Sequence, residues 1–182
     1  RMKKGETQKE KIPFPCVVKA CCSGSSVGVC IARDEEEYIT AKQEAFRYDD
    51  EIIIEQYIPG REFSVGVLDG RALPVIEMAP LEGFYDYKNK YQAGGAVETC
   101  PAQLTPEQTE RLQVLAEKVF RVLRLKNYAR MDFRMNEAGE FFCLEANTLP
   151  GMTPISLLPQ EAAAAGMDFP ELCGKILECA MR

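Results

Sequence analysis

Four polar residues near the end of the chain interrupt two apolar runs: Arg130 and Asp132 within Tyr128 to Met135, and Glu145 and Asn147 within Glu140 to Asn147. A period of two puts Arg130 and Asp132 on one face of a strand. In the next strand it groups Glu145 and Asn147 with Cys143, opposite Phe142, Leu144 and Ala146. A tight turn at Asn136 to Gly139 makes the pair a hairpin, and an even connecting loop sets all four polar side chains on the same side of the sheet. Two carboxylates and an amide, with no nitrogen or sulfur ligand, suit Mg²⁺ or Mn²⁺ rather than zinc. The same spacing also fits a solvated ion-pair ladder on an outer sheet face. Histidine is absent from the chain, which removes Ser-His and Cys-His nucleophiles, His-ligated zinc and any histidine base. After the second strand, Thr148 to Pro154 is a Gly-Pro loop able to offer backbone N–H groups to an anion.

Arg130-Met-Asp132 together with Leu144-Glu145-Ala-Asn147-Thr-x-Pro150-Gly151-Met152-Thr153 resembles the second signature of the D-alanine:D-alanine ligase family. The likeness extends in family order through the Gly24-Ser25-Ser26-Val27-Gly28 loop after Lys19, Glu55-Gln56-Tyr57-Ile58-x-Gly60-x-Glu62, Phe84-Tyr85-Asp86-Tyr87 to Lys90-Tyr91, and Ser156-Leu157. Cys21-Cys22-Ser23 and Asn127 depart from the family pattern, and neither coincides with an assigned ligand.

The resemblance implies an α+β ATP-grasp fold of two lobes closing on ATP. It implies that Lys19 contacts the nucleotide, that Glu55, Tyr57, Ile58 and Glu62 line the adenine and ribose site, and that Phe84 and Leu144 complete that site. It also implies that Ser25 and Ser26 belong to a loop closing over the phosphates, that Lys90 reaches the transferring phosphate, and that Tyr91 with Ser25 holds the lid loops shut. By the same resemblance Asp132, Glu145 and Asn147 would hold two Mg²⁺ or Mn²⁺ ions. It further implies that Arg130 and the Gly151 N–H stabilise an oxyanion, and that Ser156 with Leu157 binds the second D-alanine. The implied reaction joins two D-alanines through an acyl phosphate, in cytoplasmic peptidoglycan synthesis. The family's N-terminal H-G-x-x-G-E-D-G motif and a further ATP-contacting Lys are absent, so the chain reads as a central-lobe remainder plus the C-terminal domain of a longer ligase, inactive alone. A homodimer is admitted for the full-length enzyme. A D-serine-joining relative is a second reading, and a nucleotide-binding module without catalysis a third; the intact metal trio disfavours the third.

Several elements must position these residues. Cys16 to Ala20 and Val27 to Ala32 read as a hairpin, Asp34 caps a helix to about Tyr48 with Tyr38, Ile39, Ala41, Ala45 and Phe46 as its apolar stripe, and Glu51 to Ile58 returns as a strand. Arg61 to Leu68 and Arg71 to Met78 form a hairpin about Asp69-Gly70. Ala79 to Gln103 lacks periodicity and reads as a lid. Thr105-Pro106-Glu107-Gln108 is a capping box opening a helix with Leu112, Leu115, Ala116, Val119, Phe120 and Leu123 inward. Ala162 to Ala165 and a segment capped by Asp168 are the last helices. The expected domains are a flexible leader at 1–11, a partial central lobe at 12–60 and a C-terminal lobe at 61–182.

Composition agrees with small-molecule chemistry. The 182 residues carry 22 Lys plus Arg against 28 Asp plus Glu, a formal charge of -6, which argues against nucleic acid or an anionic membrane as partner. No apolar run is long enough to span a bilayer, and the start lacks a signal-peptide core. The eight cysteines form no C-x-x-C pair and read as buried free thiols.

Overall fold

A computed structural model describes residues 1–7, 12–22, 24, 26–80 and 96–182. These residues fall into two compact units.

The first unit, Arg1–Ile58, holds β1 (Met2–Lys3), β2 (Cys16–Ala20), β3 (Cys30–Ala32), α1 (Glu35–Ala45) and β4 (Glu51–Gln56). The strands run in the order β1-β4-β2-β3, each neighbour antiparallel. Cys16, Val18, Ile52 and Ile54 form a core with Tyr38, Ala41 and Ala45 of α1. Period-two alternation then leaves Lys19 and Glu55 on the opposite face. Asp34 caps α1 as expected, accepting from Glu37 N at 2.8 Å. The helix stops short of Tyr48, because Asp49 turns the chain into β4 by accepting from Glu51 N and Cys22 N at 3.2 and 2.8 Å. Ile39 is exposed rather than inward. The leader expectation is also corrected at its start: Met2 pairs with Ile52 and is buried in this core. The strand expected from Val27 begins only at Cys30, since Ser26 and Gly28 take positive φ in the turn before it.

The second unit, Pro59–Ala79 with Val97–Arg182, contains β5 (Arg61–Leu68), β6 (Arg71–Ala72), β7 (Ile76–Pro80), β8 (Ala96–Thr99), α2 (Pro106–Val122), β9 (Tyr128–Met135), β10 (Phe141–Asn147), α3 (Leu157–Ala164) and α4 (Phe169–Ala180). The sheet order is β10-β9-β5-β7-β8, with β6 on β5. The β5–β6 turn puts Asp69 and Gly70 at φ 52 and 76, the positive pair a type I′ turn needs. Both halves of the Thr105–Gln108 capping box form. From α2, Leu112, Ala116 and Phe120 pack on Phe63, Val65, Val67, Met131 and Phe133, while Leu123 is exposed. The Ala79 to Gln103 lid expectation gives way at its end to β8, and its residues 81–95 lie outside the described residues. Helix α3 starts at Leu157, not Ala162, because Leu157 and Leu158 bury apolar surface and Pro159 falls in a first turn whose N–H groups have no helical partner. Leu158 and Ala162 join Leu68, Leu73 and Leu172 of α4 in a second cluster.

All eight cysteines are free, but only Cys16 and Cys179 are buried; Cys22, Cys143 and Cys173 are exposed. Among the described residues no helix is long and apolar enough to cross a membrane.

Candidate functional site

Strand β5, buried along nearly its whole length, supports β9, which in turn carries β10. Across β5 and β9, Glu62 faces Arg134, Ser64 faces Asp132 and Gly66 faces Arg130. From the turn, β10 begins in simple register, with Phe142 opposite Arg134 and Cys143 opposite Phe133. A bulge then intervenes, after which Glu145 lies opposite Asp132 and Asn147 opposite Arg130. Unbroken pairing would have set Glu145 against Met131, a core residue, and turned it to the wrong face. The extra residue is Leu144. The bulge corrects one detail of the sequence reading: Cys143 pairs with Phe133 and does not share the face of Glu145 and Asn147.

The four expected residues are thus brought together. Arg130 donates from Nε to Asp132 Oδ1 at 2.9 Å and from a terminal nitrogen to Oδ2 at 2.8 Å, both side chains being largely buried. Burial disfavours the Arg130 charge, but Asp132 beside it outweighs that and raises its pKa further above the ordinary value. Asn147 Oδ1 accepts from Leu149 N at 3.0 Å and retains a second lone pair for a cation. Glu145 is exposed. Among the described residues no group of three or more His, Cys, Asp or Glu side chains could hold a metal ion; the donors that the register brings to this face are the Asp132 and Glu145 carboxylates and the Asn147 amide, all oxygen, a chemistry that fits Mg²⁺ or Mn²⁺.

The loop beyond β10 brings Gly151 to Ser156. A Cβ on Gly151 would stand 2.8 Å from Ser156 Oγ, so glycine permits the approach. Ser156 precedes α3 without capping it. Its hydroxyl instead accepts from Thr153 N at 3.0 Å and pairs with Thr153 Oγ1 at 2.8 Å.

In the first unit, Lys19 Nζ meets Glu55 Oε1 at 2.7 Å, a pairing for which the sequence had no spacing rule. Tyr57 N donates to Pro15 O at 3.3 Å, and Ile58 is half-buried. Ser26 sits in the turn before β3. In the second unit Glu62 lies 3.6 Å from Arg134. Ser25, Phe84, Lys90 and Tyr91 lie outside the described residues.

Sequence reasoning missed Glu161. This α3 residue has no exposed surface, and its Oε2 accepts from Gly66 N at 2.6 Å. Burial pushes its pKa up to about 8, against the opposing pull of the Gly66 amide and Arg130. Ser64 lies beside it and favours its ionised form, yet Ser64 Oγ and Glu161 Oε1 make no hydrogen bond of sound geometry. The available signal was a lone Glu within Leu157-Leu-Pro-Gln-Glu161-Ala-Ala, where a helix otherwise presents small and apolar residues.

A family profile described as D-ala D-ala ligase C-terminus matches residues 1–178. The D-alanine–D-alanine ligase of Citrifermentans bemidjiense is 48% identical over 179 residues, covering 98% of this chain and 59% of the relative. That of Pediococcus pentosaceus is 44% identical over 165 residues, covering 90% and 47%. A crystal structure of the Bacillus anthracis D-alanine–D-alanine ligase superposes with a TM-score of 0.82 at 38% identity, over 93% of this chain and 55% of that one. A second, complexed with ATP, gives a TM-score of 0.76 at 33% identity, over 93% and 51%. The chain spans about half the length of the curated relatives it matches.

Proposed function

The chain belongs to the D-alanine–D-alanine ligase family, of α+β ATP-grasp fold, and from that premise we propose that it is the nucleotide-, metal- and acceptor-handling part of a ligase that joins two D-alanines at the expense of ATP. The observation that carries this reading is the bulge at Leu144, which sets Glu145 against Asp132 and Asn147 against Arg130. A solvated ion-pair ladder would also leave its charges in water, whereas the Arg130 and Asp132 side chains are largely buried.

In this reading Asp132, Glu145 and Asn147 hold Mg²⁺ or Mn²⁺, which when bound neutralises polyphosphate charge during transfer. Residues 12–60 supply Lys19, Glu55, Tyr57, Ile58 and the Ser25–Ser26 loop to the nucleotide, and residues 61–182 supply the remaining groups, with Glu62, Phe84, Lys90 and Leu144 on the nucleotide side. The first D-alanine carboxylate takes the γ-phosphoryl group to become an acyl phosphate. The amine of the second then attacks the carbonyl, and phosphate leaves. Charge develops on the former carbonyl oxygen, where the Arg130 fork and the Gly151 N–H donate. Ser156 and Leu157 hold the acceptor, and Tyr91 with Ser25 closes the loops. Cytoplasmic peptidoglycan precursor synthesis, and a homodimer for the full-length protein, are parts of the same proposal.

The test is phosphate release by the full-length gene product carrying this sequence, supplied with ATP, Mg²⁺ and D-alanine, D-serine or both together. D-Alanine-dependent release with D-alanyl-D-alanine as product supports the reading. Release only with both amino acids present assigns a D-serine acceptor instead, and amino-acid-independent nucleotide binding without release leaves a non-catalytic module.

A further inference from the structure

Helix α3 is fastened to the sheet by two consecutive polar side chains, neither of which its helical character requires. Gln160 donates from Nε2 to Glu98 Oε2 of β8 at 2.6 Å and to Ile155 O at 3.0 Å. Glu161 reaches the other way and accepts the Gly66 N–H of β5 at 2.6 Å. Gly66 stands directly opposite Arg130. Its lack of a side chain lets the helix seat there, since a Cβ would collide with Glu161 Oε2 and Leu158 Cδ1.

A fully buried carboxyl with one oxygen unpartnered is a poor stabiliser, and an apolar side chain of similar size often serves a core as well or better. What Glu161 does provide is direction: a single acceptor aimed at one backbone amide fixes both the height and the roll of α3, as apolar contact alone would not. Ser156 is the residue from which α3 starts, and Gly151 packs against it. The fastening therefore fixes Ser156 and Gly151 relative to the β5–β9 row that carries Arg130.

We propose that Glu161 is a positioning residue for the acceptor end of the site, locking α3 onto the bare backbone of Gly66 so that Ser156 meets the second substrate's carboxylate at a fixed distance from Arg130. This rests on the reading of Ser156 given above. It acts through Ser156 and touches no substrate itself.

Initial-rate kinetics of the full-length gene product test it, using Glu161→Leu, Glu161→Gln and Ser156→Ala, with the acceptor KM separated from the KM for ATP. Glu161→Leu keeps the bulk but removes the acceptor, and should raise the acceptor KM by about tenfold, the cost of one unsatisfied buried amide. Its KM for ATP should stay near that of the wild type. Glu161→Gln retains an oxygen for the Gly66 N–H and should restore the acceptor KM. Should Glu161→Leu fail to fold, Glu161→Asp, which keeps the carboxyl but shortens its reach, should show the same split. An acceptor KM unchanged in the folded Leu or Asp variant, or Gln failing as badly as Leu, would overturn the latch. An unchanged acceptor KM in Ser156→Ala would instead remove the reading of Ser156, so the two failures are separable.

Discussion

Arg130 and Asp132 hold each other by two charge-assisted hydrogen bonds at 2.9 and 2.8 Å, and both are wanted elsewhere during the proposed reaction. A cation held by Asp132 would compete for its oxygens, and the Arg130 fork would then be free to meet an oxyanion on the same face. Arg130→Lys keeps the charge but loses the fork. Turnover of the full-length protein should then fall by about 100-fold, the usual cost of one oxyanion donor, while ADP affinity stays near the wild-type value; unchanged turnover would remove Arg130 from the transition state. Glu161 gives a second prediction at this scale. Its folded pKa of about 8 lies above the ordinary carboxylate value of 4.5, so the folded state keeps a proton that the unfolded chain has released. That contribution to stability is full below pH 4.5 and is lost as pH rises through about 8, at no more than about 1.4 kcal/mol per pH unit. Glu161→Gln cannot titrate. Urea unfolding at pH 5 and pH 8 should show the wild type losing more stability between them than the variant, and equal losses would contradict the buried carboxyl. Neither property is readable from spacing, because the desolvation of Glu161 comes from elements distant in sequence.

At the scale of elements, the β9–β10 hairpin depends on one residue. Inserting one alanine after Leu144 should set the alanine opposite Asp132 and move Glu145 opposite Met131, on the core face. The chain should remain folded by circular dichroism but lose Mg²⁺-dependent nucleotide binding, and retention of that binding would show that this register does not set the site. The elements themselves were largely legible: the Thr105 capping box, the Asp34 cap and the Asp69-Gly70 turn are local signals that require no tertiary partner. What escaped were features decided by distant contacts. Met2 pairs with β4, α3 extends upstream on the burial of Leu157 and Leu158, and the bulge follows from packing on β9 rather than from any turn residue. The face shared by Arg130, Asp132, Glu145 and Asn147 was correctly anticipated, although the route to it was not.

At the scale of the whole molecule, the chain divides into two units, one carrying the Lys19–Glu55 pair at 2.7 Å and the other the oxygen face of β9 and β10. Matched relatives are longer, and the chain covers 59% and 47% of two of them. Correct placement of two reactants supplies roughly 7 to 11 kcal/mol of a bimolecular barrier, so the 182 residues supplied with ATP and D-alanine should release far less phosphate than the full-length gene product; comparable rates would show that these residues position both amino acids unaided. The central claim, that the bulged hairpin is a metal-assisted nucleotide site, is tested most directly by titrating ADP into this chain with and without Mg²⁺, for wild type and Glu145→Ala. Mg²⁺ should tighten ADP binding to the wild type by about tenfold or more, equivalent to about 1.4 kcal/mol, and Glu145→Ala should lose most of that gain. Equal affinity in all four titrations would contradict the claim.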